Sequence, residues 1–326
     1  MKRREQIAGV AISFSLALIL SSAGHAADYP TKAIQIVSAV PIGSATDILA
    51  RQVGEKLGRA IGGTVIVVNK PGASGTIAAD FVAKSPADGY NLLFGNSALA
   101  LYPFLYKKLS FDVQADFAGV GLVADSPYVV VVNNDLGVKN MQELIALAKA
   151  KPKTINFASA GVGTGTHMAC ELLANRAGIQ LTHVPYSNTM LIAPDVQSNT
   201  VQMMCSPLAS WLSLLNRGRI SIIGVSAATP ITDPIQVPSV KESTGVDFIA
   251  NQWFGLLAPK RTPAPVMQQL AKALQAVVEE SDFRKKLKDQ ALESHPLYLG
   301  GFDDFIAKEQ NLWGPIVKGA GVTLDE

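Results

Sequence analysis

The sequence predicts an α/β fold in two domains, and three observations carry that prediction. The chain has 326 residues, and at about 150 residues per domain this length suits two cores rather than one. Strand-like and helix-like segments alternate along most of it, the pattern of a mostly parallel sheet with helices on both faces. Two stretches, 119–134 and 248–259, break the rhythm, as they would in a chain that passes through one domain, builds a second and returns. The expected organisation is a leader at 1–26, a first domain of 27–128 plus 252–326, and a second of 129–251. Two crossover strands join them.

Taken in order, 33–40 reads as a strand with Ile34, Ile36, Val37 and Val40 apolar. Segment 46–61 places Leu49, Val53, Leu57 and Ile61 four apart, one stripe of an amphipathic helix. A β-branched strand at 64–69 ends in the Lys70-Pro71-Gly72 turn. A helix at 75–83, the Asp88-Gly89 turn and a strand at 91–95 follow. The second domain continues with a helix at 141–150, a strand at 154–158, a helix at 166–177 and a strand at 181–184. A helix near 208–217 and a buried strand at 220–227 complete it. Three helices, 264–279, 282–290 and 302–318, close the chain. No internal repeat or low-complexity linker separates the halves.

The N-terminus carries Lys2, Arg3 and Arg4, then an apolar run from Ile7 to Leu20 and the small-residue site Gly24-His25-Ala26. This is the pattern of an export signal cleaved after Ala26, the alternative being an uncleaved anchor. Cleavage removes three of the 28 bases and one of the 26 acids, so the mature chain is electrically balanced. A nucleic-acid binder would keep a basic excess. Export also argues against nucleotide cofactors, and none is expected. Cys170 and Cys205 could pair in an oxidising compartment or remain two buried thiols.

Four strand exits are polar and nearly free of Lys and Arg. In parallel sheets that edge receives ligands. The first is Pro41-Ile42-Gly43-Ser44-Ala45-Thr46-Asp47, where a glycine and capping side chains precede a helix. It reads either as a simple capped turn or as an anion site at the helix N-terminus. The second, Ser159 to His167, has glycines at 161, 163 and 165 with Ser159, Thr164 and Thr166 as hydroxyl partners. The acidic residue a dinucleotide fingerprint would need is not evident. The third exit is Tyr186-Ser187-Asn188, with Tyr186 either stacking on a ligand or covering the core. The fourth is Asn96-Ser97. Together they suit a small carboxylate held by N–H and hydroxyl donors.

Signals for catalysis are poor. The Gly-x-Ser-x-Gly elbow is absent. His167, His183 and His295 form no metal spacing and no nucleophile–base pair is evident. His167 reads as a hydrogen-bonding residue of a first helical turn, and Met203 and Met204 as core fillers. Neither an enzyme nor a metal site is expected.

Several segments, in order along the chain, resemble the tripartite tricarboxylate transporter substrate-binding family of Bug-type receptors. They are Tyr29-Pro30-Thr31-Lys32, Thr46-Asp47-Ile48-Leu49-Ala50-Arg51, Asn69-Lys70-Pro71-Gly72-Ala73-Ser74-Gly75 and Pro86-Ala87-Asp88-Gly89-Tyr90. Ala158-Ser159-Ala160-Gly161, His183-Val184-Pro185-Tyr186 and Trp253-Phe254-Gly255-Leu256-Leu257-Ala258-Pro259 complete the set. The resemblance implies a periplasmic, two-domain binding protein of type II, a monomer that closes by a hinge around a small carboxylate. Its partner would be the inner-membrane permease, with a membrane sensor kinase as the alternative and a periplasmic hydrolase the weakest reading. By position, the ligand contacts would be the 41–47 backbone, Ser159, Gly163, Thr164 and His167, with Asn96 and Tyr186 in support.

The chain departs from the family pattern at Ala39, Ile42, Ser44 and Ala45, at Ser187-Asn188, and at Cys205-Ser206, where an acidic residue is usual. The changes remove charge and add small apolar and hydroxyl groups. They favour an apolar-bodied ligand such as the aromatic dicarboxylate terephthalate, its second carboxylate meeting Ser206, Ser187 and Asn188.

Overall fold

The computed structural model describes residues 29–215 and 218–324; the leader expected at 1–26 lies outside the described residues. The first half contains β1 (Ile34–Ser38), α1 (Ala45–Ile61), β2 (Val65–Asn69), α2 (Thr76–Ala83) and β3 (Asn91–Asn96). Next come α3 (Ala98–Leu105), the single turn α4 (Val113–Asp116) and the long strand β4 (Phe117–Asn133). The chain then builds α5 (Met141–Ala150), β5 (Asn156–Ser159), α6 (Gly165–Ala177), β6 (Thr182–Pro185), α7 (Ile192–Gln197) and β7 (Met203–Pro207). After α8 (Leu212–Leu215), β8 (Ile220–Val225) and α9 (Val240–Thr244), β9 (Asn251–Pro259) returns to the first half. Helices α10 (Ala264–Glu279), α11 (Ser281–Asp289) and α12 (Gly300–Ala320) finish the fold.

The strands form one continuous sheet in the order β2-β1-β3-β9-β4-β7-β5-β6, with β8 also on β4. Helices cover both faces, as expected, but the sheet is not mostly parallel. Its wings are parallel, β2-β1-β3 on one side and β7-β5-β6 on the other. Every pairing at the centre, β3-β9, β9-β4, β4-β7 and β4-β8, is antiparallel. The reason is β4 itself. Its first part pairs with β9 as far as Pro127↔Asn251, and from Tyr128 onward it pairs with β7.

This switch aims the two wings at each other. β3 ends with Asn96 opposite Phe254, which is level with Ala124 of β4. β7 arrives from the opposite direction and ends with Pro207 opposite Tyr128. Ala124 and Tyr128 are four residues apart, roughly 13 Å along a strand. The carboxyl ends of β1, β3, β5, β6 and β7 therefore open at one junction, and so do their loops.

Four apolar clusters fill the two faces of the two halves. Ile34, Ile36 and Leu256 pack against Val53 and Leu57 of α1 and Leu270 and Leu274 of α10, and Val37 and Leu257 lie on the other face with Phe302 of α12. Val130, Phe157 and Met203 pack against Leu144 of α5 and Leu172 of α6, and Val129 and Met204 against Trp211. Leu101 and Leu105 of α3 and Trp313, Ile316 and Val317 of α12 also enter the α6 cluster, so the halves share apolar packing beside the junction. The helix expected near 208–217 is instead a 3-10 turn at Leu208–Ser210 and the short α8, split at the buried Trp211.

Close approach at the β4–β9 crossing depends on glycine. A Cβ on Gly255 would collide with the Phe302 ring and lie 3.0 Å from the Gly121 carbonyl. Gly255→Ala should cost about 1–3 kcal/mol in urea denaturation, the usual range for overpacking. Phe302→Leu in the same chain should recover part of that loss; a double variant whose losses simply add would contradict the packing account.

Candidate functional site

Two loops at the junction are built on one plan. Ser44 caps α1, accepting from the Asp47 N–H at 3.3 Å, and Thr164 caps α6, accepting from the His167 N–H at 3.4 Å. The residue before each cap is a glycine with positive φ, +83° at Gly43 and +75° at Gly163. Each glycine donates its N–H to the third helical side chain: Gly43 to Asp47 Oδ2 at 2.9 Å, Gly163 to His167 Nδ1 at 3.1 Å. This is a capping box moved one residue outward. Aligned, Ile42-Gly43-Ser44-Ala45-Thr46-Asp47 and Val162-Gly163-Thr164-Gly165-Thr166-His167 read as aliphatic, glycine, hydroxyl, small, threonine, acceptor. So a short repeat does exist, readable by aligning the two strand exits.

The plan leaves the same groups free in both loops. The N–H groups of Ala45 and Thr46, and of Gly165 and Thr166, have no intrahelical acceptor, and among the described residues they bond to nothing else. Each pair sits at the partially positive end of a helix of 17 or 13 residues.

Asp47 is 1% exposed and wholly committed to shaping its loop. Oδ2 accepts from Gly43 N–H and from Arg51 Nε at 2.9 Å, and Oδ1 from Asn69 Nδ2 at 2.7 Å. Arg51 also donates to Asn69 Oδ1, and Asn69 to the Val40 carbonyl. Burial works to raise the carboxyl's pKa; the hydrogen bonds from Arg51, Asn69 and Gly43 outweigh it and hold the group at about 2. Asp47 is thus a positioning group, spent on its own loop and on the nearest cation.

His167 plays the corresponding part in the second loop, and its ring lies beneath the loop rather than in the opening. It is buried, and its Nδ1 carries no proton because it accepts from Gly163. His183 stacks on it with ring centroids 3.7 Å apart, and Phe157 extends the stack at 4.9 Å from His183. Burial first, and His167 second, bring His183 down to about 4. His183 Nε2 meets Ser159 Oγ at 2.6 Å, and Ser159 Oγ donates to the Gly161 carbonyl.

The remaining predicted residues divide. Asn96 accepts from the Ala98 N–H and starts α3, a helix absent from the sequence reading. Ser97 is buried beside the Tyr128 phenol, which donates to Gln252 Oε1 at 3.0 Å. A Cβ at Gly165 would collide with that phenol and lie 3.5 Å from Ser97 Oγ, so the fourth exit and the α6 N-terminus touch. Tyr128 and Gln252 form the floor between the halves; apart from opening an apolar run, neither has a local signal in the sequence. Pro41 and Ile42 are exposed, as are Ser187 and Asn188 beside the second loop.

Tyr186 donates its hydroxyl to Asp195 Oδ2 at 2.7 Å, and burial and that carboxylate push it up to about 12. One expectation is corrected. Cys205 lies in the core under α6, where its N–H donates to Cys170 Sγ at 3.1 Å, because alternation along β7 turns it away from the Met204 face. Both cysteines are free thiols. Ser206 is buried opposite Val129.

A cavity of about 680 Å³ lies elsewhere, on the side of the crossover strands that carries Asp125 and Asn251 rather than Tyr128 and Gln252. Within its lining Asp125 meets His295 and Lys288 pairs with Asp233, while Arg284 donates to the Val278 carbonyl. No group of His, Cys, Asp and Glu suited to a metal occurs among the described residues. Nor is any described helix long and apolar enough to cross a membrane.

With this geometry in place, residues 49–322 match the family described as tripartite tricarboxylate transporter family receptor. The chain belongs to that family. Its receptors are periplasmic. A protein of Pseudomonas sp. strain P51, encoded in the tcbD–tcbE intergenic region, is 32% identical over 94% of this chain and 89% of its own length. Among solved structures, Rhodopseudomonas palustris Rpa4515 with adipate is 27% identical with a TM-score of 0.78, covering 91% of this chain and all of that one, 100%. MatC of the same organism, with bound malate, is 25% identical with a TM-score of 0.73 over 89% and 100%. The fold is that of the two-domain periplasmic binding proteins. The family match begins at residue 49, two residues after Asp47.

The Asp47 network should show in the acid limb of stability. A folded pKa of about 2, below the ordinary 3.8, means its stabilisation is complete above about pH 4 and lost as pH falls toward 2. Asp47→Asn should melt lower at pH 7 and lose less between pH 4 and pH 2. Equal acid slopes in the two proteins would contradict this role.

Proposed function

We propose that the chain is a periplasmic receptor that captures a small organic carboxylate between two lobes and delivers it to the membrane permease of a tripartite tricarboxylate transporter. It performs no chemistry on the ligand. The observation that carries this reading is the pair of matched helix ends, which bring the free amides of Ala45, Thr46, Gly165 and Thr166 to one junction. A carboxylate has lone pairs for several such donors, and two helix N-termini favour its charge without any Lys or Arg.

The lobes are 27–128 with 252–326, and 129–251. The hinge lies where β4 changes partner and β9 begins, at Pro127-Tyr128 and Asn251-Gln252. Closure swings one helix end toward the other over the Tyr128–Gln252 floor. Cleavage after Ala26 releases the receptor, which acts as a monomer.

The ligand is a dicarboxylate with an apolar body, such as terephthalate. The relative Rpa4515 is seen with adipate, two carboxylates joined by an apolar chain, which supports this reading. Here the loops' one carboxylate, Asp47, is buried and paired with Arg51, and few side-chain donors are free, which disfavours polyhydroxylated or amino acids. Ser187 and Asn188 are exposed beside the second loop and receive the second carboxylate.

Ala45→Pro tests the grip directly. Ala45 is the first residue of α1 and follows Ser44 at φ −68°, ψ 159°, a position where proline fits and only the N–H is lost. Hydrogen bonds to charged groups are worth about 1.5–3 kcal/mol, so terephthalate and adipate affinity by calorimetry should fall about 10- to 150-fold. The melting temperature of the unliganded variant should stay within a few degrees of the parent. Unchanged affinity would remove the first loop from the site.

A further inference from the structure

We propose that Ile42 and Val162 form an apolar clasp that grips the body of the ligand from both lobes and sets the length and hydrophobicity of the acid this receptor selects. The inference rests on the carboxylate reading above and extends it to residues that hold no carboxylate oxygen.

The two side chains occupy the same place in the repeated loop, two residues before Ser44 and Thr164. Both are large aliphatics left in the open: Ile42 is 77% exposed and Val162 39%. Neither belongs to any of the four apolar clusters. A branched aliphatic in a capped turn does nothing for the cap itself, since the cap uses only the glycine N–H, the hydroxyl and the third helical side chain. It does, however, stand at a fixed distance along the chain from the free amides.

Those clamps also hold the aliphatics in place. Each follows a backbone pinned by the glycine bond to Asp47 or His167, so little ordering is left to do when a ligand arrives. The first loop is open beside Ile42, where a Cβ on Gly43 would meet nothing within 4 Å; the second is open only on the Gly161 side of Val162, where a Cβ would meet Thr164 alone, while one on Gly163 would press on Leu105 and Leu324 at 3.0–3.1 Å. With one aliphatic on each lobe, closure brings them onto opposite sides of whatever lies between the amides. Burial of apolar area on both partners then grows with the length of the ligand's body. A compact acid would be held by its carboxylate alone.

A graded set of diacids separates the clasp from the grip. Succinate, adipate and terephthalate keep two carboxylates while the apolar body grows. Calorimetric affinities of the parent should rise along the series. Ile42→Ser and Val162→Ser, both at exposed positions that leave folding intact, should each lower terephthalate affinity about 5- to 20-fold and leave succinate within twofold. The double variant should flatten the series. Losses equal for all three acids, or no loss for any, would overturn the clasp while an effect of Ala45→Pro upheld the grip. Failure of the parent to bind any of the three would overturn both.

Discussion

One strand constrains everything else in this molecule. β4 runs 17 residues without interruption, roughly 55 Å, and spends its first part against β9 and its last against β7 and β8. Because the wings attached to its two ends are each parallel and point in opposite directions, their carboxyl ends must meet near the middle of β4. The helix that follows each of those ends then begins at the junction, with its unpaired amides there. The backbone gathers the donors, and side chains only hold them still.

The clamps do this with different chemistry in the two halves. In the first loop the acceptor is an ionised carboxylate, tied to Arg51 and Asn69 so that its charge is answered before any ligand is present. In the second it is the Nδ1 lone pair of an imidazole, which accepts from Gly163 while the ring stacks on His183. An anion entering between the loops meets helix ends and amides rather than a bare acid. Had Asp47 been free, the same opening would have suited an ammonium. Its burial and its three donors commit it to its own loop.

Much of this was legible in the sequence, for reasons that can be named. Helices with one apolar stripe were placed closely: the expected 141–150 and 264–279 coincide with α5 and α10. The exits at 41–47 and 159–167 are visible because strand, glycine, hydroxyl and helix follow one another locally. Strand order is not local, so the antiparallel centre was hidden. α3 carries no such local signal, because Ala98-Leu99-Ala100-Leu101-Tyr102-Pro103-Phe104-Leu105 is apolar all round, touching two clusters and showing no stripe. Cys205 was misplaced because only the alternation of β7 tells which face it takes. The loop repeat was obscured by its third helical position, where Asp47 and His167 share a function and no chemistry beyond accepting a hydrogen bond.

The account depends most on the claim that four backbone amides, two from each half, share one carboxylate. Amide chemical shifts of isotope-labelled protein during a titration with terephthalate report on that claim residue by residue. The N–H signals of Ala45, Thr46, Gly165 and Thr166 should move together, saturate at one concentration and shift in the direction of a newly formed hydrogen bond. Shifts concentrated instead at Asp125, Asn251 and His295, around the opposite cavity, with those four amides unmoved, would contradict it.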